Sequence, residues 1–75
     1  MFLTDLEPSQ IGRIVFFKGS DEFQVRLAEM GFKPEQKIRL IRKMAFKGPI
    51  QVRIRNSTVS LRYEDAACIH IELNE

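Results

Sequence analysis

Seventy-five residues, 44% hydrophobic and 29% charged, make one globular domain (1–75) at most and exclude a disordered chain. No apolar run approaches the roughly 20 residues that cross a bilayer, and Met1-Phe2-Leu3-Thr4-Asp5 carries an early acid with no basic leader, which excludes a secretory signal. The net charge is only +2, yet nine cations between Lys33 and Arg62 meet a single acid, Glu35, while the other acids crowd the two ends.

Leu3 and Leu6 precede Glu7-Pro8-Ser9, which reads as a turn after a short N-terminal segment. Gln10–Phe17 is the first strand by its β-branched and aromatic content, with Gly12 expected to mark a bend or bulge. Over 21–30 the period changes. Phe23, Leu27 and Met30 recur at helical spacing, and Glu22, Arg26 and Glu29 fall toward solvent. Ser20 or Asp21 caps the start, Asp21 and Gln24 have capping-box spacing, Gly31 ends the helix, and Pro34 prevents its resumption. So short a helix is unstable alone, so its apolar stripe is expected to lie on the sheet.

Lys37–Arg42 reads as the second strand, with Ile38 and Leu40 on one face, and Met44–Pro49 as a loop. Strict alternation over Ile50–Arg55, Val59–Arg62 and Ile69–Leu73 then gives three half-buried strands. Asn56-Ser57 separates the first two, and a helical turn at Tyr63–Ala67 separates the last two. The fold class is therefore mainly β. About five short antiparallel strands with one helix suit a small barrel better than a sandwich.

Catalysis is not expected. His70 is the single histidine and Cys68 the single thiol, and the four glycines form no phosphate loop. A lone cysteine also excludes a disulfide framework, which so small a secreted domain would need, so a cytoplasmic location is expected. Cys68, His70 and Glu72 alternate on the last strand and would offer three transition-metal donors on one face, a fourth coming from a neighbour. An exposed strand face lacks the closed surroundings such a site needs, so solvent-facing residues are the expectation and no metal or cofactor is assigned. Arg39, Arg53 and Arg55 suggest a nucleic-acid surface, with Phe46 and Tyr63 as the stacking platforms. Met44 and Phe46, apolar residues in a loop, suggest instead contacts for a protein partner.

The run Arg26-Leu27-Ala28-Glu29-Met30-Gly31-Phe32, then Pro34, a basic strand, Gly48-Pro49-Ile50-Gln51-Val52 and Val59-Ser60-Leu61-Arg62 with Ala66 and Ile69 resembles the FeoA family. The resemblance covers Leu3 to Ile71. It implies an SH3-like barrel with the helix packed across it, and a part in ferrous-iron uptake through contact with the cytosolic, GTP-binding part of the FeoB transporter. A similar barrel in metal-dependent repressors keeps a metal-responsive regulatory reading open beside the nucleic-acid one. The contact residues expected on this basis are Arg26, Leu27 and Met30 on the helix, Leu61 and Arg62 on the matching strand, and Met44 and Phe46 in the loop. For Leu27 and Leu61, ordinary core is the stronger expectation. Two residues depart from the family pattern, Ser9 after Pro8 and Glu35 after Pro34, at places where the family tends to have glycine. Loss of positive-φ freedom there is expected to alter the turns.

Overall fold

The computed structural model describes residues 1–73. A 3-10 turn at Leu3–Asp5 is closed by the Asp5 carboxylate, whose Oδ2 accepts from the Phe2 amide at 2.9 Å, and it drives Leu3 and Leu6 fully into the core. Strand β1 (Ile11–Phe17) leads to helix α1 (Asp21–Glu29), and β2 (Lys37–Lys43), β3 (Ile50–Ile54) and β4 (Ser57–Leu61) follow as a meander. The short helix α2 (Tyr63–Ala66) and strand β5 (Ile69–Leu73) complete the chain. All five strands form one antiparallel sheet in the order β4-β3-β2-β1-β5. The sheet does not close: β4 and β5 are its edges. It curls around a single cluster that takes buried side chains from every strand, both helices and the N-terminal turn.

Two bulges supply the curl. Ile14 pairs with Ile71 and Phe16 with His70, so Val15 is the extra residue in β1; Ile41 is the extra residue in β2, between Leu40 and Arg42. A bulge reverses the alternation beyond it. Phe16 consequently turns outward, while Phe17 packs on the core. Gly12 marks no bulge. It is a point of close approach, where a Cβ would stand 2.8 Å from Ile71 Cδ1 and 3.2 Å from the Glu72 carbonyl oxygen.

Ser20 caps α1, its Oγ accepting from the Phe23 amide at 3.1 Å, and Gln24 turns back to the Gly19 carbonyl instead of closing a box with Asp21. Gly31 takes φ 101° just past the end. Of the expected apolar stripe only Leu27 is fully buried; Phe23 packs partly on the core and Met30 stays exposed. The helix thus packs on the core through Leu27, with help from Phe23, and leaves Met30 exposed.

The two departures from the family pattern resolve in an unexpected way. Ser9 has φ 76° and Glu35 φ 74°, so both turns keep the left-handed residue without glycine. Each follows a proline, and the Gln10 amide donates to the Glu7 carbonyl at 3.0 Å as the Gln36 amide does to Lys33 at 3.2 Å, the arrangement of a type II turn. Each is also stitched to a strand. Ser9 and Gln10 bond with Leu40, and Glu35 and Gln36 with Ile14, at 2.8–3.0 Å. Four backbone bonds outweigh the strain of two left-handed residues, so the turn geometry survives the loss of glycine.

Candidate functional site

The β2–β3 hairpin ends in an unusual turn. The Met44 amide donates to the Pro49 carbonyl and the Gly48 amide to the Ala45 carbonyl, both at 3.1 Å. The central residues, Phe46 at φ 58° and Lys47 at φ 57°, have the backbone of a type I′ turn, for which Asn-Gly is the favoured pair. Phe46 pays the left-handed penalty and gains no burial: its side chain is fully exposed. Met44 beside it is also exposed. Gly48 lets Met44 lie close, since a Cβ there would stand 2.9 Å from Met44 Cβ.

From the tip the surface continues inward. Lys47 Nζ lies 5.9 Å from the centre of the Tyr63 ring at the head of α2. Next to Tyr63, Arg62 and Asp65 face α1 across a groove of about 260 Å³, whose other walls are Phe23, Arg26, Leu27 and Met30. Arg26 sits over the Phe23 ring at 5.8 Å. The expected residues Arg26, Met30 and Arg62 are therefore brought together, and the Lys47–Tyr63 contact joins them to Met44 and Phe46. Leu27 and Leu61 are not surface contacts. They are 2% and 3% exposed, Leu27 forming the groove floor and Leu61 anchoring the strand that presents Arg62. Asp65, which sequence reasoning missed, follows Arg62 by three residues, the spacing at which helix side chains neighbour one another.

A second groove, of about 420 Å³, crosses the sheet face. Arg39, Arg53 and Arg55 meet there as expected of a cationic surface, joined by Lys37 and Gln36. Neither Phe46 nor Tyr63 lines it, so the cations and the stacking platforms expected of a nucleic-acid surface lie apart. Arg39 stands directly opposite Arg53 in the β2–β3 ladder. On β1 next door, Arg13 pairs with Glu35 at 2.8 Å and also with Glu72, and the two carboxylates, Glu35 first, hold its guanidinium above the ordinary arginine range.

The three potential metal donors do not share a strand, since Cys68 lies in the turn before β5, and they are occupied separately. The Cys68 thiol donates to the Glu64 carbonyl at 3.5 Å, Glu72 binds Arg13, and the His70 ring stacks on Phe16 at 4.6 Å with Phe2 edge-on at 5.1 Å. Among the described residues no three His, Cys, Asp or Glu side chains are grouped to hold a metal. Nor, among them, is any helix long and apolar enough to cross a membrane.

The chain matches the FeoA domain over residues 1–73. It is 37% identical over 73 residues to the Fe(2+) transport protein A/Fe(2+) transporter FeoB fusion protein of Porphyromonas gingivalis; the match spans 97% of this chain and only 9% of the fusion protein. The solution structure of iron(II) transport protein A from Clostridium thermocellum superimposes with a TM-score of 0.90 at 32% identity, over 97% of this chain and 45% of that one. A manganese-dependent transcriptional repressor also superimposes with a TM-score of 0.90, over 99% of this chain and 41% of that one; at 20% identity this is a likeness of fold alone.

Proposed function

This chain belongs to the FeoA family, linked to ferrous-iron transport, and on that premise we propose that it is a non-enzymatic module that works in the cytoplasm by binding the cytosolic part of a FeoB-type transporter. The observation that carries the choice of partner is the fusion protein, in which a segment similar to this chain is joined covalently to the transporter. Fusion raises the effective concentration of one part for the other, which helps where the two engage.

The contact surface is the continuous strip from Phe46 and Met44 through Lys47 and Tyr63 to Arg26, Met30 and Arg62. It combines a fully exposed aromatic, two exposed methionines and two arginines, the residue types enriched at the energetic centres of interfaces. A role without covalent or acid–base chemistry is supported by how the reactive groups are engaged: the histidine between two aromatic rings, the thiol on a backbone carbonyl. The test is calorimetric titration of the detergent-solubilised transporter with the native protein and with the Met44→Ser/Phe46→Ser variant. Binding by the native chain that the variant loses supports both partner and surface. Equal binding by the two overturns the surface, and no binding by the native chain overturns the partner.

A further inference from the structure

We propose that Lys37, Arg39, Arg53 and Arg55 form a binding site for a compact oligophosphate anion, one carrying a pyrophosphate-type group. The strands set the spacing. Arg39 and Arg53 are directly opposite, about 5 Å apart at Cβ by the geometry of an antiparallel pair. Lys37 lies two residues before Arg39 on β2, about 7 Å along the same face, and Arg55 lies just past the end of β3, in the turn to β4, where it lines the same groove. The result is four cations around one groove.

Like charges directly opposite in a sheet are destabilising, and this chain relieves them elsewhere on the same sheet. Arg13, opposite Lys37, has two carboxylate partners. None of the four groove cations has an acidic partner among the described residues. Arg55 takes φ 52° in the two-residue turn that joins β3 to β4, and its Nε donates to Gln36 Oε1 at 3.3 Å, which holds the guanidinium on the groove wall. The unrelieved repulsion is explained if an anion completes the site.

The chemistry of the walls selects the anion. A concave groove does not fit a flat lipid surface, and with no aromatic side chain lining it there is no platform for stacked bases. Carboxylates of an extended peptide would supply one charge each, whereas adjoining phosphates concentrate several charges on the footprint. Their oxygens also match the guanidinium fork. The inference does not depend on the transporter reading, so either can fail alone.

The experiment is calorimetry and thermal melting of the full chain with sodium triphosphate, ATP, oligothymidylate, hexaglutamate and anionic phospholipid vesicles, at low and high salt. Triphosphate is expected to bind one-to-one at low salt and to weaken steeply with added salt. Arg53→Gln is expected to weaken it about tenfold or more, the loss of one charge-assisted contact. The same variant, relieved of the Arg39 clash, is expected to melt above the native chain without ligand and below it with saturating triphosphate. A purely structural arginine would not produce that reversal. Equal affinity for triphosphate and ATP identifies the phosphate chain itself as the ligand; tighter ATP binding identifies a nucleotide. The proposal is overturned if triphosphate does not bind, if Arg53→Gln leaves its affinity unchanged, or if oligothymidylate, hexaglutamate or vesicles bind more tightly at these residues.

Discussion

Leu27 under helix α1 and Phe46 at the β2–β3 tip are both large apolar side chains close to the same strip of surface, and folding treats them in opposite ways. Leu27 is 2% exposed, in a helix with a Ser20 cap and a Gly31 stop that hold it over the core. Phe46 is wholly exposed, on a backbone that a phenylalanine does not favour. The first residue is where stability requires it. The second costs stability and gains no burial, and the proposed contact role of Phe46 rests on that.

The contrast breaks if substitutions at the two places have similar effects. Leu27→Ala should lower unfolding stability by about 2–5 kcal/mol, the range for removing a buried leucine, read as a lower urea midpoint with an unchanged slope. Met44→Ser with Phe46→Ser should stay within about 0.5 kcal/mol of the native chain in the same measurement while transporter binding disappears. A drop comparable to that of Leu27→Ala would make the tip part of the core and end the distinction. Phe46→Gly sharpens it further. Relief of the left-handed residue should raise stability by about 0.5–1 kcal/mol even as partner binding falls, because the gain in φ freedom exceeds the entropy that glycine adds to the unfolded chain. Ser9→Gly should give a smaller gain of about 0.5 kcal/mol and leave binding untouched, since Ser9 carries the same strain in a turn away from the strip. Thermal melting alongside the binding assay distinguishes these two glycine variants.

Features governed by neighbours in the chain were legible from sequence. The helix was found from the spacing of Phe23 and Leu27 between Ser20 and Gly31, and β3 and β5 from strict alternation. Features governed by distant pairing were not. Nothing local marks Val15 or Ile41 as bulged residues, because a bulge exists only relative to the partner strand. The alternation of Cys68, His70 and Glu72 suggested a shared face, but Phe2, Phe16 and Arg13 reach that strand from the other end of the chain and engage two of the three. Met30 keeps helical spacing with Leu27, yet its side chain is exposed on the groove between α1 and α2. Left-handed backbone at Phe46, Lys47 and Arg55 was hidden, because residue type is the usual signal and there it is missing; at Ser9 and Glu35 only the family resemblance, with glycine at those places, pointed to it. For the proposed contact strip, composition indicated Met44 and Phe46; only the fold shows that Arg62 and Arg26 share a groove.

Strand β1 lies between β2 and β5, so one of its ladders joins neighbouring segments and the other joins the first strand to the last. The Ile71 amide donating to the Met1 carbonyl at 2.8 Å ties the same two regions again. During synthesis β1 through β4 leave the ribosome before β5, and until β5 follows, one side of β1 lacks its partner and Ile14 lacks the packing of Ile69 and Ile71. Assembly therefore waits for β5, and refolding is limited by closing the long loop between β1 and β5, at the slow, millisecond-to-second end of the range for small domains.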